Sequence, residues 1–245
     1  MIDETPFPRP LSAAALDRLP TGLAPAREPL FGRSVTLEPL DPAVHADDLV
    51  RAAEDDDPAR WLYLPYGPFN GDRAGMEAHL AGCAASTDPL FYAIRPHGPE
   101  GPGAAEGVMS YLEIEPTHGI IEIGHIWLGP RLSRTRAATE AMYLTIAHAL
   151  DTLGYRRMQW KCDALNGGSR AAARRLGFRF EGVLHAVRVV KGRNRDTAYY
   201  SILAEEWAEI RPRMEAWLAD VNFDAAGRPL TSLTEAMAAP RRIAR

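Results

Sequence analysis

The sequence predicts an α+β fold with one βαβ crossover at its centre, and three observations carry this. Short alternating or apolar runs bounded by Pro and Gly read as strands in both halves of the chain. After Gly129 the apolar period changes to that of a helix, ending at Gly154. A further alternating run follows at once, so strand, helix and strand stand in the order that parallel pairing requires.

The elements follow in order. Residues 1–33, rich in Pro, Ala and Gly with a brief apolar patch at 13–19, read as an extended arm with one helical turn. SVTLEPL (34–40) alternates as a half-buried strand, and DPAVHADDLVRAA follows with Asp41 as N-cap and Pro42 in the first helical position. WLYLPYGPFN, aromatic and interrupted by prolines, reads as a loop before the helical RAGMEAHLAGCAAS. LFYAIRP, EGVMSYLEI and GIIEIGHIWLG are three strands, and the 97–107 insert between the first two is a Pro/Gly-rich hairpin loop without a packed role. In SRTRAATEAMYLTIAHALDTLG, Ala138, Met142, Thr145, Ala149 and Leu153 fall at helical spacing, which predicts the longest central helix. RRMQWKCDAL alternates as a strand with one buried face; a short helix spans 169–176. FRFEGVLHAVRVV and RDTAYYSIL are two more strands around a KGRNR turn. AEEWAEIRPRMEAWLAD is helical around Pro212, and 221–245 reads as a weakly ordered tail. The domain reading is an arm at 1–33, a catalytic domain at 34–207, and a C-terminal helix and tail at 208–245.

Composition narrows the function. The chain of 245 residues is 46% hydrophobic and 24% charged, with no apolar run near the ~18 residues of a membrane span. MIDETPFPRP lacks the basic start and apolar stretch of a secretory signal, so a cytoplasmic protein with no membrane role is expected. Cys83 and Cys162 have no CxxC or His partner at ligand spacing, which predicts reduced structural thiols and no metal. The net charge of -4 hides an asymmetry: residues 131–195 hold 14 Lys/Arg against Glu140, Asp151, Asp163 and Glu181, or +10, leaving -14 elsewhere. An anionic ligand belongs in that region.

Two motifs could hold it. In GHIWLGPRLSRTRAATEA a strand runs into a loop that opens the long helix, whose first amide N–H groups and positive dipole end make an anion site. Arg131, Arg134 and Arg136 oppose that dipole unless an anion offsets them. The loop lacks the Gly-rich run and Lys-Ser/Thr pair of a Walker motif. In NGGSRAAARRLGFRFEG, Asn166 and Ser169 stand at the spacing of an Asx turn and N-cap. Capping alone is one reading. Room for a slender ligand is the other, since Ala171, Ala172 and Ala173 keep one side of a short helix low.

From residues 34 to 203 the chain resembles the GNAT superfamily of acyl-CoA-dependent N-acetyltransferases, in its RimJ/RimL-like branch. The resemblance rests on IEIGHIWLGPRLSRTRAATEA, GYRRMQWKCDALNGGSRAAARRLGFRFEGVL and GRNRDTAYYSIL. It implies a mixed, mostly antiparallel central sheet of about six to seven strands, helices on both faces, and a splayed pair of parallel strands binding acyl-CoA. Carried over, Ser133, Arg134, Thr135, Arg136, Ala137 and Ala138 form the pyrophosphate loop, and Asn166 and Ser169 lie beside the pantetheine arm and thioester. Two departures stand out. Arg134 and Arg136 replace glycines of the family pattern, which costs nothing if the turn needs no positive φ. Ala173 stands where the family often carries an acidic Tyr.

Transfer of acetyl from acetyl-CoA to an amine needs a base, and Glu122, alternating with Gly124 and Ile126 on an otherwise apolar strand, is the first candidate; pairing with the basic region is its alternative. Ser169 would give the leaving thiolate a hydrogen bond in place of the Tyr, and a backbone N–H near Ile126 or Trp127 would serve the oxyanion. His125 points the other way and reads as packed. By resemblance Trp61, Tyr63, Tyr66 and Phe69 wall an acceptor pocket, with core anchoring the alternative reading, and EDDD (54–57) draws the amine unless it is a solvated turn. Of Tyr199 and Tyr200 only one can face the site, and Tyr199 is assigned to the substrate. The expected enzyme, a monomer or homodimer that binds no nucleic acid, moves acetyl directly to a protein N-terminal α-amine or a small-molecule amine. The competing readings are a non-catalytic acyl-CoA-binding regulator and a nucleic-acid module using 131–195.

Overall fold

In the computed structural model, which describes residues 11–13, 15–54 and 56–238, there are nine strands and six α-helices, and all but the two-residue strands and the last helix follow the expected order. Contacts divide the chain into two compact units, one of Pro25–Ile114 with Ile123–Ile146, the other of Met1–Ala24, Glu115–Glu122 and Ala147–Arg245.

The first unit holds β1 (Leu30–Phe31), β2 (Val35–Pro39), α1 (Pro42–Glu54), α2 (Arg73–Ala85), β3 (Leu90–Gly98), β4 (Gly101–Pro102), β5 (Gly107–Glu115), most of β6 (Ile120–Leu128) and α3 (Arg136–Ala147). Asp41 caps α1 as its sequence predicts, accepting the Ala43 N–H at 2.9 Å. The strands run β1-β2-β3-β5-β6, with β2 and β5 antiparallel to β3 on either side. Leu49, Trp61, Leu80, Phe91 and Trp127 pack together in the core, each worth ~1.5–3 kcal/mol of apolar transfer. Glu140, buried on α3, receives the Arg33 and Ser34 N–H groups at 2.8 and 2.7 Å and so ties the helix to the start of β2. WLYLPYGPFN is a loop after its first residue, as expected; Trp61 ends a 3-10 helix, Pro58–Trp61, capped by Asp57 through the Ala59 N–H. The 97–107 insert departs from expectation. β4 pairs with β3 at its tip, and its end is packed, Ala105 being fully buried with its N–H on the Asp48 carboxylate at 3.0 Å. A Pro/Gly-rich composition sets the turns of a loop but not whether its exit is anchored.

In the second unit the first residues of β6 pair in parallel with β7 (Arg157–Asp163) over only three positions, Ile120↔Arg157 to Glu122↔Gln159. β7 is antiparallel to β9 (Arg193–Leu203), and β8 (Arg179–Val190) lies outside β9. α4 (Gly167–Arg175), α5 (Ala204–Leu218) and α6 (Leu233–Ala238) complete it. Helix α3 passes into a π-helical turn at His148–Thr152, and α5, at 15 residues, is longer than α3 at 12. Pro212 sits inside α5 without ending it. The strand count exceeds six to seven because β1 and β4 are two-residue strands. No helix occurs among the described residues of 11–29, where Thr21 hydrogen-bonds the Leu153 carbonyl at 2.5 Å. The tail is built as far as residue 238: Asn222 holds Thr231 and the Trp217 carbonyl, and Leu233 and Met237 of α6 are buried. Among the described residues no helix is long and apolar enough to cross a membrane.

Candidate active site

The loop between β6 and α3 is shaped by its own backbone. At Gly129 a Cβ would stand 2.8 Å from the Glu106 carbonyl oxygen, which accepts the Gly129 N–H at the same distance. The chain then turns tightly, the Ser133 N–H donating to Gly129 at 3.0 Å and the Thr135 N–H to Leu132 at 3.3 Å. Thr135 precedes α3 and takes the Ala138 N–H on its hydroxyl at 3.1 Å. The N–H groups of Arg134 and Ala137 are left without an acceptor among the described residues, at the positive end of the α3 dipole.

Arg134 sits at φ +65°, so the turn does require the left-handed conformation that a family glycine would supply. Placing a side chain there costs roughly 1–2 kcal/mol, a strain that the expectation of a cost-free replacement missed. The three arginines are also not equivalent. Glu106 takes Arg131 in an ion pair at 2.7 Å, Arg136 is half-buried and Arg134 is exposed. Beside them lies an open cleft of about 480 Å3 lined by Asp57, Ala59, Arg60, Pro130, Ser133 and Arg134. Ala137 and Ala138 are buried beneath the loop.

In the second unit Asn166 caps α4, its side chain accepting the Ser169 N–H at 3.0 Å, so the capping reading holds. Ser169 has a further partner: the buried Trp160 indole donates to its hydroxyl oxygen at 2.9 Å. An indole N–H can only donate, so the serine oxygen accepts and its own proton is left for the Cys162 thiol or for a group that displaces it. Ser169 also hydrogen-bonds the Cys162 thiol, yet burial pushes that thiol up to about 11. Both cysteines are buried free thiols. The alanine run is not one low face. Consecutive helical residues turn by ~100°, and Ala173 is fully buried while Ala171 is exposed. Helix α4 stops because Gly177 adopts φ +95° as its C-terminal cap, with Ile210 and Met237 packed where a Cβ would go; Phe178 then anchors against Trp160, ring centroids 5.6 Å apart.

Glu122 is buried and its Oε2 lies 3.0 Å from the Lys161 Nζ, itself 8% exposed and 5.2 Å from the centre of the Tyr199 ring. The expected one-sided β7 therefore has two covered faces, since Gln159 is buried as well. Tyr199 is half-buried, whereas Tyr200 is fully buried with its hydroxyl accepting from Arg170 at 3.3 Å.

Of the aromatic wall, Trp61 belongs to the core, 1% exposed and stacked on Trp127 at 4.8 Å. Tyr66 packs edge-on to Trp61, stacks on His125 at 5.7 Å and lies 4.0 Å from His79; burial raises its phenol pKa and lowers that of His79. Tyr63 is half-buried. His125 is packed, as expected, but its φ of +50° interrupts the alternation along β6. In the EDDD run, Asp55 lies outside the described residues, and Asp56 is fully buried rather than a solvated acid.

A model of the acetyltransferase (GNAT) domain matches residues 34–179, more than half of the chain. The chain belongs to the GNAT family. A crystal structure of a GCN5-related N-acetyltransferase from Brucella melitensis is 42% identical, superposes with a TM-score of 0.85, and is covered over 98% of its length by 90% of this chain. A probable acetyltransferase of the GNAT family from Chromobacterium violaceum ATCC 12472 is 41% identical with a TM-score of 0.71, 83% of this chain matching all of it. Among curated proteins, the "Putative ribosomal N-acetyltransferase YdaF" of Bacillus subtilis (strain 168) is 30% identical over 105 residues, 43% of this chain and 57% of that relative, so the match spans little more than half of its length. These findings place the chain among the GNAT acetyltransferases, whose chemistry is acetyl transfer.

Sequence reasoning missed three parts of this GNAT architecture. Glu106 and Arg60 reach the loop from segments remote in sequence, and no local pattern marks either. Trp160 was legible only as a buried aromatic; its role as donor to Ser169 needed the α4 register.

Proposed function

We propose that this GNAT enzyme transfers acetyl from acetyl-CoA to a primary amine in a ternary complex, with a protein N-terminal α-amine as the acceptor class. The α3 entrance carries the reading: two amides without an internal acceptor, a left-handed arginine and a dipole end together suit a diphosphate. Ser133, Arg134, Thr135, Arg136, Ala137 and Ala138 are assigned to that diphosphate, with Thr135 and Ala138 shaping the loop rather than donating to it. Asn166 and Ser169 are assigned to the pantetheine and thioester.

Ser169 gives the departing thiolate a hydrogen bond from its hydroxyl, Trp160 holding the oxygen from behind, and the thiolate takes the proton that the nitrogen sheds as the amide forms. Glu122 is assigned as proton acceptor: the incoming ammonium competes with Lys161 for the carboxylate, gives up a proton to it, and then attacks the thioester carbonyl as the neutral amine. The acyl oxygen takes the backbone N–H near Ile126 or Trp127, beside the left-handed His125. Tyr63, Tyr66 and Tyr199 are assigned to the acceptor, with Trp61 supporting Tyr66 from the core. The name of the Bacillus relative favours a ribosomal protein as acceptor over a small amine.

Replacing Arg134 and Arg136 together by Glu is expected to weaken acetyl-CoA binding at least tenfold, about 1.4 kcal/mol, as read by calorimetric titration. Unchanged affinity would remove the diphosphate assignment. Release of free CoA on incubation with N-terminal peptides separates an enzyme from a regulator that only binds the thioester.

A further inference from the structure

We propose that Arg60 is a coenzyme-binding residue that grips the ribose 3′-phosphate of the CoA moiety, an inference that rests on the acetyl-CoA reading above. Arg60 lines the cleft with Ala59 and Asp57 on one side and Pro130, Ser133 and Arg134 on the other. It is held in place rather than left to solvent. Its Nε donates to the Asp56 carboxylate at 2.7 Å and its Nη1 lies 3.5 Å from the Leu128 carbonyl oxygen. Among the described residues Nη2 has no partner, and the side chain keeps 36% of its exposure.

Asp56 explains the orientation. Its side chain is fully buried, and besides Arg60 it accepts the Trp127 indole N–H at 2.8 Å and the Asp57 N–H at 2.9 Å. A carboxylate committed to three donors anchors the guanidinium by one edge and leaves the other turned outward, the presentation that planar recognition of a phosphate uses. Across the cleft the exposed Arg134 supplies a second cation.

The geometry divides the phosphates of the coenzyme. Free amides at the α3 entrance, those of Arg134 and Ala137, suit the diphosphate. The cleft runs from Arg134, which borders those amides, to the 3-10 helix, so its far end at Arg60 suits the third phosphate. Asp57 is the opposing charge at the rim. Its carboxylate is engaged as the cap of the Ala59 N–H at 2.9 Å, and two arginines flanking it disfavour a cationic occupant.

The test is calorimetric titration of CoA and 3′-dephospho-CoA into the wild-type protein and Arg60→Ala. Wild type should bind CoA about tenfold more tightly than 3′-dephospho-CoA, about 1.4 kcal/mol, with the gap closing as salt is raised. Arg60→Ala should lose that factor for CoA and lose nothing for the dephosphorylated ligand. Equal losses for both ligands would put Arg60 on the diphosphate and overturn the proposal, as would no loss with either. Should Arg60→Ala misfold because Asp56 is left buried and unpaired, the wild-type comparison still decides: equal affinity for the two ligands overturns the assignment. A wild-type protein that binds neither ligand would sink the acetyl-CoA reading itself.

Discussion

At the scale of single residues, function is written in hydrogen-bond direction. Ser169 accepts from an indole that can do nothing but donate, so its proton is left to donate, to the Cys162 thiol in this structure and to the departing sulfur in the proposed reaction. Ser169→Ala is expected to lower kcat by ~10²-fold, the low end for losing a hydrogen-bond donor to developing charge, with KM for acetyl-CoA little changed. Trp160→Phe keeps the ring against Phe178 and should lower kcat by a smaller factor. Glu122→Gln should flatten the acidic limb of the pH–rate profile, which a purely structural partner of Lys161 would leave in place. An Ser169→Ala variant with wild-type kcat would end the assignment of the serine. Ser169 and Asn166 were legible from their spacing in the sequence, since a cap motif is local. The Lys161 contact of Glu122 was not, because a parallel strand pair is set by a crossover whose register no local pattern records.

Among elements, those with strong local signals matched the sequence: α1 with its Asp-Pro start, α2, the three strands before Gly129, and the helix ending at Gly177. The failures have one physical cause, tertiary anchoring of segments with weak local preference. Ala105 and Glu106 close a Pro/Gly-rich hairpin that composition alone marks as loose, and the tail from 220 to 238 docks because Leu233 and Met237 find a buried surface. Met237 packs where the absent side chain of Gly177 would be, so the same glycine that ends α4 also receives α6. Arg213 donates to the Ala236 carbonyl at 3.1 Å, holding the short helix to α5. Leu233, only 2% exposed, is therefore part of the fold, and Leu233→Ala should cost about 2–5 kcal/mol in denaturant unfolding. A loss below about 0.5 kcal/mol, the range of surface substitutions, would show that the tail is an appendage.

Across the whole molecule, net charge separates by region, and the buried or paired acids make stability depend on pH with one sign. Glu38 resists burial through the hydrogen bond from His45 and the charge of Arg95, and its pKa is lowered; Glu181, likewise opposed by burial, is lowered by the hydrogen bonds of Arg157 and Ser201. Asp196 is held at about 2 by the Ala186 N–H, Asn194 and His185. Each favours the folded state only while ionised, so its contribution is present above the ordinary carboxyl value of 4.5 or 3.8 and lost as pH falls towards the folded one. His79 adds an earlier step of the same sign. Burial lowers its pKa from 6.5, so the unfolded chain takes up a proton that the native imidazole, packed on Tyr66 and Phe69, refuses. Thermal stability should therefore be level between about pH 7 and 8, below the range where the buried thiols titrate, decline through pH 6, and fall more steeply below pH 4.5, where the carboxylates join. His79→Gln removes the titrating group and should erase the first decline while leaving the second. A melting temperature that is constant from pH 7 to 5 in the wild type, or a decline that persists in His79→Gln, would show that the imidazole is as easily protonated folded as unfolded.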